Sequence, residues 1–436
     1  MNQPAQGERD WQSLVVHCLR TMLPADAAAP SDDIDWIENG LLDSMAHVEV
    51  LACVEKAALL PGVFDHCPDG PPRTIRAAVD CLRRANSAAR PQESRAMNLG
   101  DSTGTLAAGI AGWSHCVGEE SVSAQEVERE FGLPTETISR RAGIESVARV
   151  PAGVTELDLA ERAAARALLR CGFTSSQVDY LIVSSETFVG LPSLGFRLHR
   201  RLALRADCGI LDVGGACAGL VNALFVAAAT LRSSAAASIL VATADVHQHA
   251  LPPGKVDGKF AGLFGDGASA FLLTAAPLAP QQPHYRLGEF TLGCNGDSSN
   301  LLSVRLDEQS VLQLEFDGDA LGRAAVRQLD ALLRRLEAQS GCALASAARF
   351  ATHQPNPRLL EMLSRQSGLP LEKFPVVCKR YGNLGSSTSG VALSMALEEC
   401  SAGAASPRGP IFLAALGPGL VWGGCVVAGA AMAAQP

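Results

Sequence analysis

A cysteine between a glycine turn and a long Ala-rich run is the residue of this sequence best placed for chemistry. In CGILDVGGACAGLVNALFVAAATL, Cys217 follows a continuous apolar strand and Gly214-Gly215, and it precedes a predicted helix. A thiol at a helix start meets unpaired N–H groups and the positive end of the helix dipole, which favour thiolate. The glycines let the chain turn sharply and let a substrate come close. Such a thiol suits a nucleophile that takes an acyl group from a thioester. The other reading of this segment alone is a packing cysteine behind a strand.

Two further side chains fit the same centre. His353 in ATHQPNP follows a short apolar strand and precedes Pro355 and Pro357, which fix the turn. An imidazole held there can donate to a thioester carbonyl; the plain alternative is a surface-loop histidine. Asn383 in KRYGNLGSSTSGVALSMAL again sits in a glycine turn before a helix. Its amide donates without carrying charge and so suits an enolate oxygen, unless it only tolerates a left-handed turn. The Gly-rich LGPGLVWGGCVV supplies backbone N–H groups for the same purpose, although Gly-Pro-Gly is also an ordinary turn. Far upstream, Ser44 follows Asp43 at the head of MAHVEVLACVEKAALL, as an exposed serine or a helix cap.

These residues need elements to hold them. The apolar residues of DWQSLVVHCLRTML recur at helical spacing, and Thr74 is a fitting cap for IRAAVDCLRR, so the chain opens on a small helical bundle. A polar stretch, ANSAARPQESRAMNLGDSTG, reads as a linker. From Thr105 onward Gly- and Ala-rich helices alternate with apolar strands, which indicates an α/β domain with buried sheets. Thr155 caps LDLAERAAARALLRC, and Gly172 ends it. The strands YLIVSS, CGILDV, SILVAT and SAFLLT adjoin turns carrying Glu186, Gly214-Gly215, Asp245 and Gly265-Asp266-Gly267. A second strand and helix series starts near residue 285, so two similar halves account for the length.

Bulk properties narrow the class. A chain of 436 residues with 47% hydrophobic and 19% charged content builds a large core, and a net charge of -9 argues against a general nucleic-acid surface. The 13 cysteines are scattered without a C-x-x-C pair, which reads as reduced thiols in a cytoplasmic protein. The polar start lacks a signal core, and SILVAT and IFLAALG are too short to span a bilayer, so no membrane partner is expected.

With GGACAGL around Cys217, FGDGASA at 264–270, HQPN at 353–356, YGN at 381–383 and GPGLVWG at 417–423, residues 106 to 430 resemble the beta-ketoacyl-ACP synthase III family. The resemblance implies a thiolase-like αβαβα layered domain of two related halves and a homodimer. It implies an acylated Cys217, with His353 and Asn383 holding the extender carbonyl as the malonyl group loses carbon dioxide. Backbone N–H groups of Cys217 and of Gly419 would bind the oxyanion. It places Arg141 and Arg358 at the pantetheine entrance, toward a phosphate or an acidic carrier helix. Three positions depart from the family pattern. Thr137 replaces a tryptophan that stacks on the coenzyme A adenine, Pro418 replaces the middle of a triple glycine, and Leu191 replaces a bulky aromatic near the acyl pocket.

The first segment, through IENGLLDSMAHVEVLACVEKA, resembles an acyl carrier protein, with 4'-phosphopantetheine attached covalently at Ser44 by a phosphopantetheinyl transferase, and with Glu49 and Glu55 facing basic partners. The expected organisation is a carrier-type all-α bundle at 1–85, a linker at 86–105, and synthase halves at 106–285 and 286–436. The substrates implied are acyl and malonyl thioesters on coenzyme A or a carrier protein, in fatty-acid or polyketide-type synthesis. Two rivals remain: acyl transfer from Cys217 to an alcohol or amine without decarboxylation, and a non-catalytic carrier scaffold. Asn383 favours condensation, because ester formation is served better by a carboxylate base.

Overall fold

The computed structural model describes residues 10–24, residues 30–86 except 59, 61, 65–66 and 68–69, and residues 108–429 except 234, 279–281, 307–311 and 403–407. The expected linker at 86–105 lies, apart from residue 86, outside the described residues. The chain divides into two compact units, Met1–Arg95 with Phe316–Arg327, and Ala96–Glu315 with Gln328–Pro436. The first unit thus takes in a segment from the expected second half.

The first unit contains helices α1 (Trp11–Arg20), α2 (Ser44–Ala58) and α3 (Ile75–Asn86). Each start is capped as its sequence allows. Asp10 accepts from the Ser13 N–H at 3.0 Å, Asp43 from the Ala46 N–H at 2.8 Å, and Thr74 from the Ala77 N–H at 3.1 Å. The apolar faces close over Val15, Leu19, Trp36, Leu51, Phe64, Ile75 and Leu82. Full burial of such side chains is worth roughly 1.5–3 kcal/mol each. Two expectations fail here. Glu55 does not face a partner: it is buried and accepts from the Phe64 N–H at 3.2 Å. Nor are all cysteines free, since Cys67 and Cys81 are joined in a disulfide.

In the second unit the strands fall into two series. The first is β1 (Gly109–Val117), a side pair β2 (Glu120–Ser123) and β3 (Ser146–Arg149), β4 (Tyr180–Ser184), β5 (Gly209–Asp212), β6 (Ser238–Asp245) and β7 (Gly267–Thr274). The second is β8 (Tyr285–Cys294), a side pair β9 (Leu302–Leu306) and β10 (Leu312–Phe316), β11 (Arg349–Thr352), β12 (Ile411–Gly417) and β13 (Val421–Gly429). All but the side pairs lie in one 9-stranded sheet of order β11-β12-β13-β8-β1-β7-β6-β4-β5. The pairing repeats. β4 is parallel to β6, which runs antiparallel to β7, which runs antiparallel to β1. Likewise β11 is parallel to β12, which runs antiparallel to β13, which runs antiparallel to β8. The series meet where β1 and β8 share only Gly109↔Arg286 and Ile110↔Tyr285. A duplication absent from the residue level is therefore plain in the backbone.

Two helices, Gly219–Arg232 and Thr388–Ser401, occupy equivalent places in the two series and share one core. Leu220, Val221 and Leu224 of the first, with Val391, Leu393 and Leu397 of the second, are fully buried there. Their Ala- and Gly-rich composition is what a helix flanked by protein on every side requires. Gly219 and Gly390 are close approaches: a Cβ on Gly219 would collide with Ser184 at the end of β4, and one on Gly390 with Ser269. The outer helix Glu156–Arg170 is boxed at its start, where Asp158 accepts from the Thr155 N–H at 2.9 Å, and it ends at Gly172 with φ 68°. Among the described residues no helix is long and apolar enough to cross a membrane.

Candidate active site

The tight contact at Gly219 fixes the chemistry, because it brings the start of one helix against the end of β4. Cys217 sits in the 3-10 turn Ala216–Ala218 just before that helix, 8% exposed. Gly215 (φ 136°) and Ala216 (φ 46°) form the turn; a left-handed alanine costs about 1–2 kcal/mol. Two residues past β4, Glu186 meets the sulfur, with Cys217 Sγ 3.4 Å from its Oε2.

Glu186 is held from three sides. Its N–H donates to Asp245 Oδ1 at 2.7 Å, and the other Asp245 oxygen accepts from Ser386 Oγ at 2.6 Å. Its Oε1 lies 3.0 Å from His247 Nε2. His247 Nδ1 faces the Gly265 carbonyl at 2.7 Å, so both ring nitrogens face acceptors and both carry protons. Burial opposes that charge, but the Glu186 carboxylate overcomes it and raises His247 to about 9. Burial likewise pushes Glu186 up, yet the His247 bond and charge leave it below the usual carboxylate range. The pair is an ion pair, stacked against the Phe264 ring at 4.5 Å.

This overturns the expected thiolate. Burial, and then the adjacent Glu186 charge, push the Cys217 thiol well above its ordinary value. Both effects favour the protonated form, a thiol facing a carboxylate.

The second series supplies neutral groups. His353, just past the end of β11, is 4% exposed; its backbone N–H donates to the Ala414 carbonyl at 2.9 Å, and its ring Nδ1 has no partner among the described residues. Burial lowers it to about 4, so it is uncharged at neutral pH. Asn383 is 5% exposed, and its Oδ1 accepts from the Gly385 N–H and from Thr388 Oγ1, both at 3.0 Å. Thr388 Oγ1 itself accepts from the Leu384 N–H at 2.9 Å, so its proton goes to Asn383. Two donors identify the amide oxygen and leave the NH2 as the free, donating end. Gly385 joins the two groups of residues: a Cβ there would strike Glu186 and His247, and its φ of 58° suits glycine.

A cavity of about 750 Å³ opens over this centre. Cys217, Glu186 and His247 line it together with Glu156, Thr187 and His249, and Phe188, Leu251, Phe260, Phe264 and Pro418 give it an apolar wall. His353 and Asn383 do not line it. They are tied to the centre by the electrostatic effect of His353 on Glu186 and by Gly385, whose N–H donates to Asn383 and which packs on Glu186.

The remaining expected residues are placed as follows. Ser44 is the first residue of α2, whose cap is Asp43. Gly417 is the glycine packed on the cysteine turn, where a Cβ would lie 3.0 Å from the Gly215 carbonyl, whereas a Cβ on Gly419 (φ 74°) would meet open space. Arg358 is engaged within the chain, by Glu361 Oε2 at 3.0 Å and the Arg140 carbonyl at 3.3 Å, while Arg141 is exposed. Thr137 donates to the Pro134 carbonyl at 2.7 Å. Leu191 is 95% exposed rather than set in the acyl cavity. Among the described residues no acidic, histidine or cysteine cluster fits a metal ion.

Glu186 and His247 are the residues that the sequence reading missed as site groups. A signal was present. SSET and DVHQH each put an ionisable residue two positions past a buried strand, close to the place that His353 holds just after β11.

Comparisons with known proteins give a family and a fold. Residues 211–296 match the family model 3-oxoacyl-[acyl-carrier-protein (ACP)] synthase III, and residues 337–428 match the model of its C-terminal part. A beta-ketoacyl-[acyl-carrier-protein] synthase III of Listeria monocytogenes is 31% identical over 322 residues, which is 73% of this chain and 98% of the relative. One from Coxiella burnetii is 29% identical over 328 residues, again 73% and 98%. The crystal structure of 3-oxoacyl-(acyl carrier protein) synthase III, FabH, from Pseudomonas aeruginosa superposes with a TM-score of 0.64 at 26% identity, covering 74% of this chain and 98% of that one. Xanthomonas campestris OleA shares the fold, with a TM-score of 0.65 at 20% identity over 74% of this chain and 98% of its own.

Proposed function

Since the chain belongs to the beta-ketoacyl-ACP synthase III family of acyl-transferring condensing enzymes, we propose that it performs a decarboxylative Claisen condensation served by its own carrier unit. Cys217 takes the starter acyl group from a thioester. His353 and Asn383 then hold the carbonyl of a malonyl-type thioester, whose carboxylate leaves as carbon dioxide. The resulting enolate carbon attacks the acyl-Cys217 carbonyl, releasing a 3-ketoacyl thioester.

The fixed amide of Asn383 carries this reading. With its oxygen occupied by Gly385 and Thr388, it offers only N–H groups, and the His353 imidazole is likewise kept neutral by burial. Neutral donors stabilise a developing enolate without quenching it by proton transfer. Carboxyl-labelled malonyl thioester tests it: labelled carbon dioxide appears with wild type and is lost with Asn383→Asp.

A carrier role for the first unit is supported by the placement of Ser44 at the head of α2 and by Asp43 as the cap. An arm of 4'-phosphopantetheine on Ser44 would supply a mobile thiol for cargo. Arg141, exposed beside the turn that Arg358 braces, suits its phosphate or an acidic carrier helix. A tether raises the effective concentration of such a carrier to roughly millimolar. A homodimer is supported by β5, an edge strand ending the sheet, beside exposed Leu191, Phe196 and Leu211.

One observation favours a second reading. The carboxylate judged useful for acyl transfer to an alcohol or amine is present, at Glu186 beside Cys217. Acyl-Cys217 consumed by an alcohol or amine without release of labelled carbon dioxide would establish it.

A further inference from the structure

We propose that Glu186 is a catalytic carboxylate: it takes the Cys217 thiol proton as the thioester is attacked and returns it to the departing thiol, with His247 as its positioning residue. This rests on Cys217 being the acylated nucleophile, and it applies to either second half-reaction above.

The geometry divides the carboxylate between two tasks. Oε1 is tied to His247 at 3.0 Å, which leaves Oε2 facing the sulfur at 3.4 Å on the wall of the cavity. A buried ion pair that served packing alone would be a poor choice, since desolvating both charges is costly and an apolar pair fills the space as well. Here the group within hydrogen-bond reach of the open oxygen, among the described residues, is the thiol. A thiol held protonated by burial and by a neighbouring negative charge must lose its proton during attack, and the acceptor within reach is the carboxylate that raises its pKa.

The step balances. Cys217 Sγ bonds to the thioester carbonyl carbon as its proton passes to Glu186 Oε2. The tetrahedral adduct collapses with cleavage of the bond to the arm sulfur, which takes the proton back. Acyl-Cys217 and a free thiol result, with no net change in charge. The ionisable groups facing Glu186 are Cys217, His247, Asp245 after β6 and His353 after β11, with Asp266 behind His247.

Two reactivities of the full-length protein separate this from a structural role. The first is acyl transfer from acyl-pantetheine thioesters, read as the intact-mass adduct on Cys217. The second is alkylation of Cys217 by iodoacetamide from about pH 6 to about pH 10. Glu186→Gln removes the base and also the repelling charge. Its acylation falls about 100-fold or more, while its alkylation midpoint moves to lower pH. Glu186→Asp keeps the charge on a shorter arm, so the midpoint stays high and acylation is intermediate. His247→Gln lowers the maximal acylation rate without changing the donor concentration for half-saturation. Acylation of Glu186→Gln within about threefold of wild type overturns the proposal, as does a joint fall of acylation and alkylation. No adduct on wild-type Cys217, or equal adduct on Cys217→Ala, sinks the parent reading instead.

Discussion

The two strand series of the synthase unit share one pairing scheme and hold opposite chemistry at equivalent places. Past β4 stands Glu186; past its counterpart β11 stands His353. Before the first central helix comes Cys217, and before the second comes the turn of Asn383 and Gly385. Past β6 lies His247, and past β12 lies Pro418. One series gathers a thiol and an ion pair; the other offers an imidazole and an amide without charge. A duplicated scaffold thus brings equivalent loops to one centre, and side-chain choice divides the work. In the proposed reaction, proton transfer and acylation fall to the first series and enolate stabilisation to the second.

The largest break in this comparison comes from Cys217→Ala, which removes both acyl adduct and turnover, by roughly three orders of magnitude or more in a steady-state assay. Asn383→Asp sharpens it. Replacing a neutral donor with a carboxylate lowers carbon dioxide release about 100- to 1000-fold while Cys217 still acylates, and mass analysis beside label release reads both.

The two imidazoles should titrate in opposite senses. His247 is raised to about 9 in the folded protein, so its contribution to stability is full below its unfolded value near 6.5 and is lost as pH rises through about 9. That contribution is of the order of 3 kcal/mol. His353 is lowered to about 4, so its neutral form contributes stability above about 6.5 that is lost as pH falls toward 4. Thermal unfolding of His247→Gln and of His353→Asn against pH checks this. The deficit of the first shrinks at alkaline pH, and the second loses the acid-side decline. Gly385→Ala, at the meeting point of the two series, forces Glu186 and His247 aside and costs about 1–3 kcal/mol, read by denaturant unfolding. The smallest effect is that of Ala216→Gly, which relaxes a left-handed alanine and changes stability by about 1 kcal/mol or less.

Much of this was legible in the residues. Cys217 and His353 each stand in a glycine or proline turn after an apolar strand and Asn383 in a glycine turn before a helix, and such turns are where an α/β fold exposes side chains. The cap residues Thr74 and Thr155 and the stop at Gly172 were readable from local rules alone. The protonation state of Cys217 was not, because it depends on Glu186, 31 residues away in sequence, and on burial that no local pattern reports. Glu186 and His247 had the right position after their strands, but which strand ends meet is a property of sheet order.

The division of labour between the two series is tested most directly by a single turnover of Asn383→Asp. The protein is loaded with a starter acyl group on Cys217, then mixed with carboxyl-labelled malonyl thioester. The account predicts a stable acyl-Cys217 adduct with almost no labelled carbon dioxide. Label released at the wild-type rate, or failure of Cys217 to load at all, would contradict it.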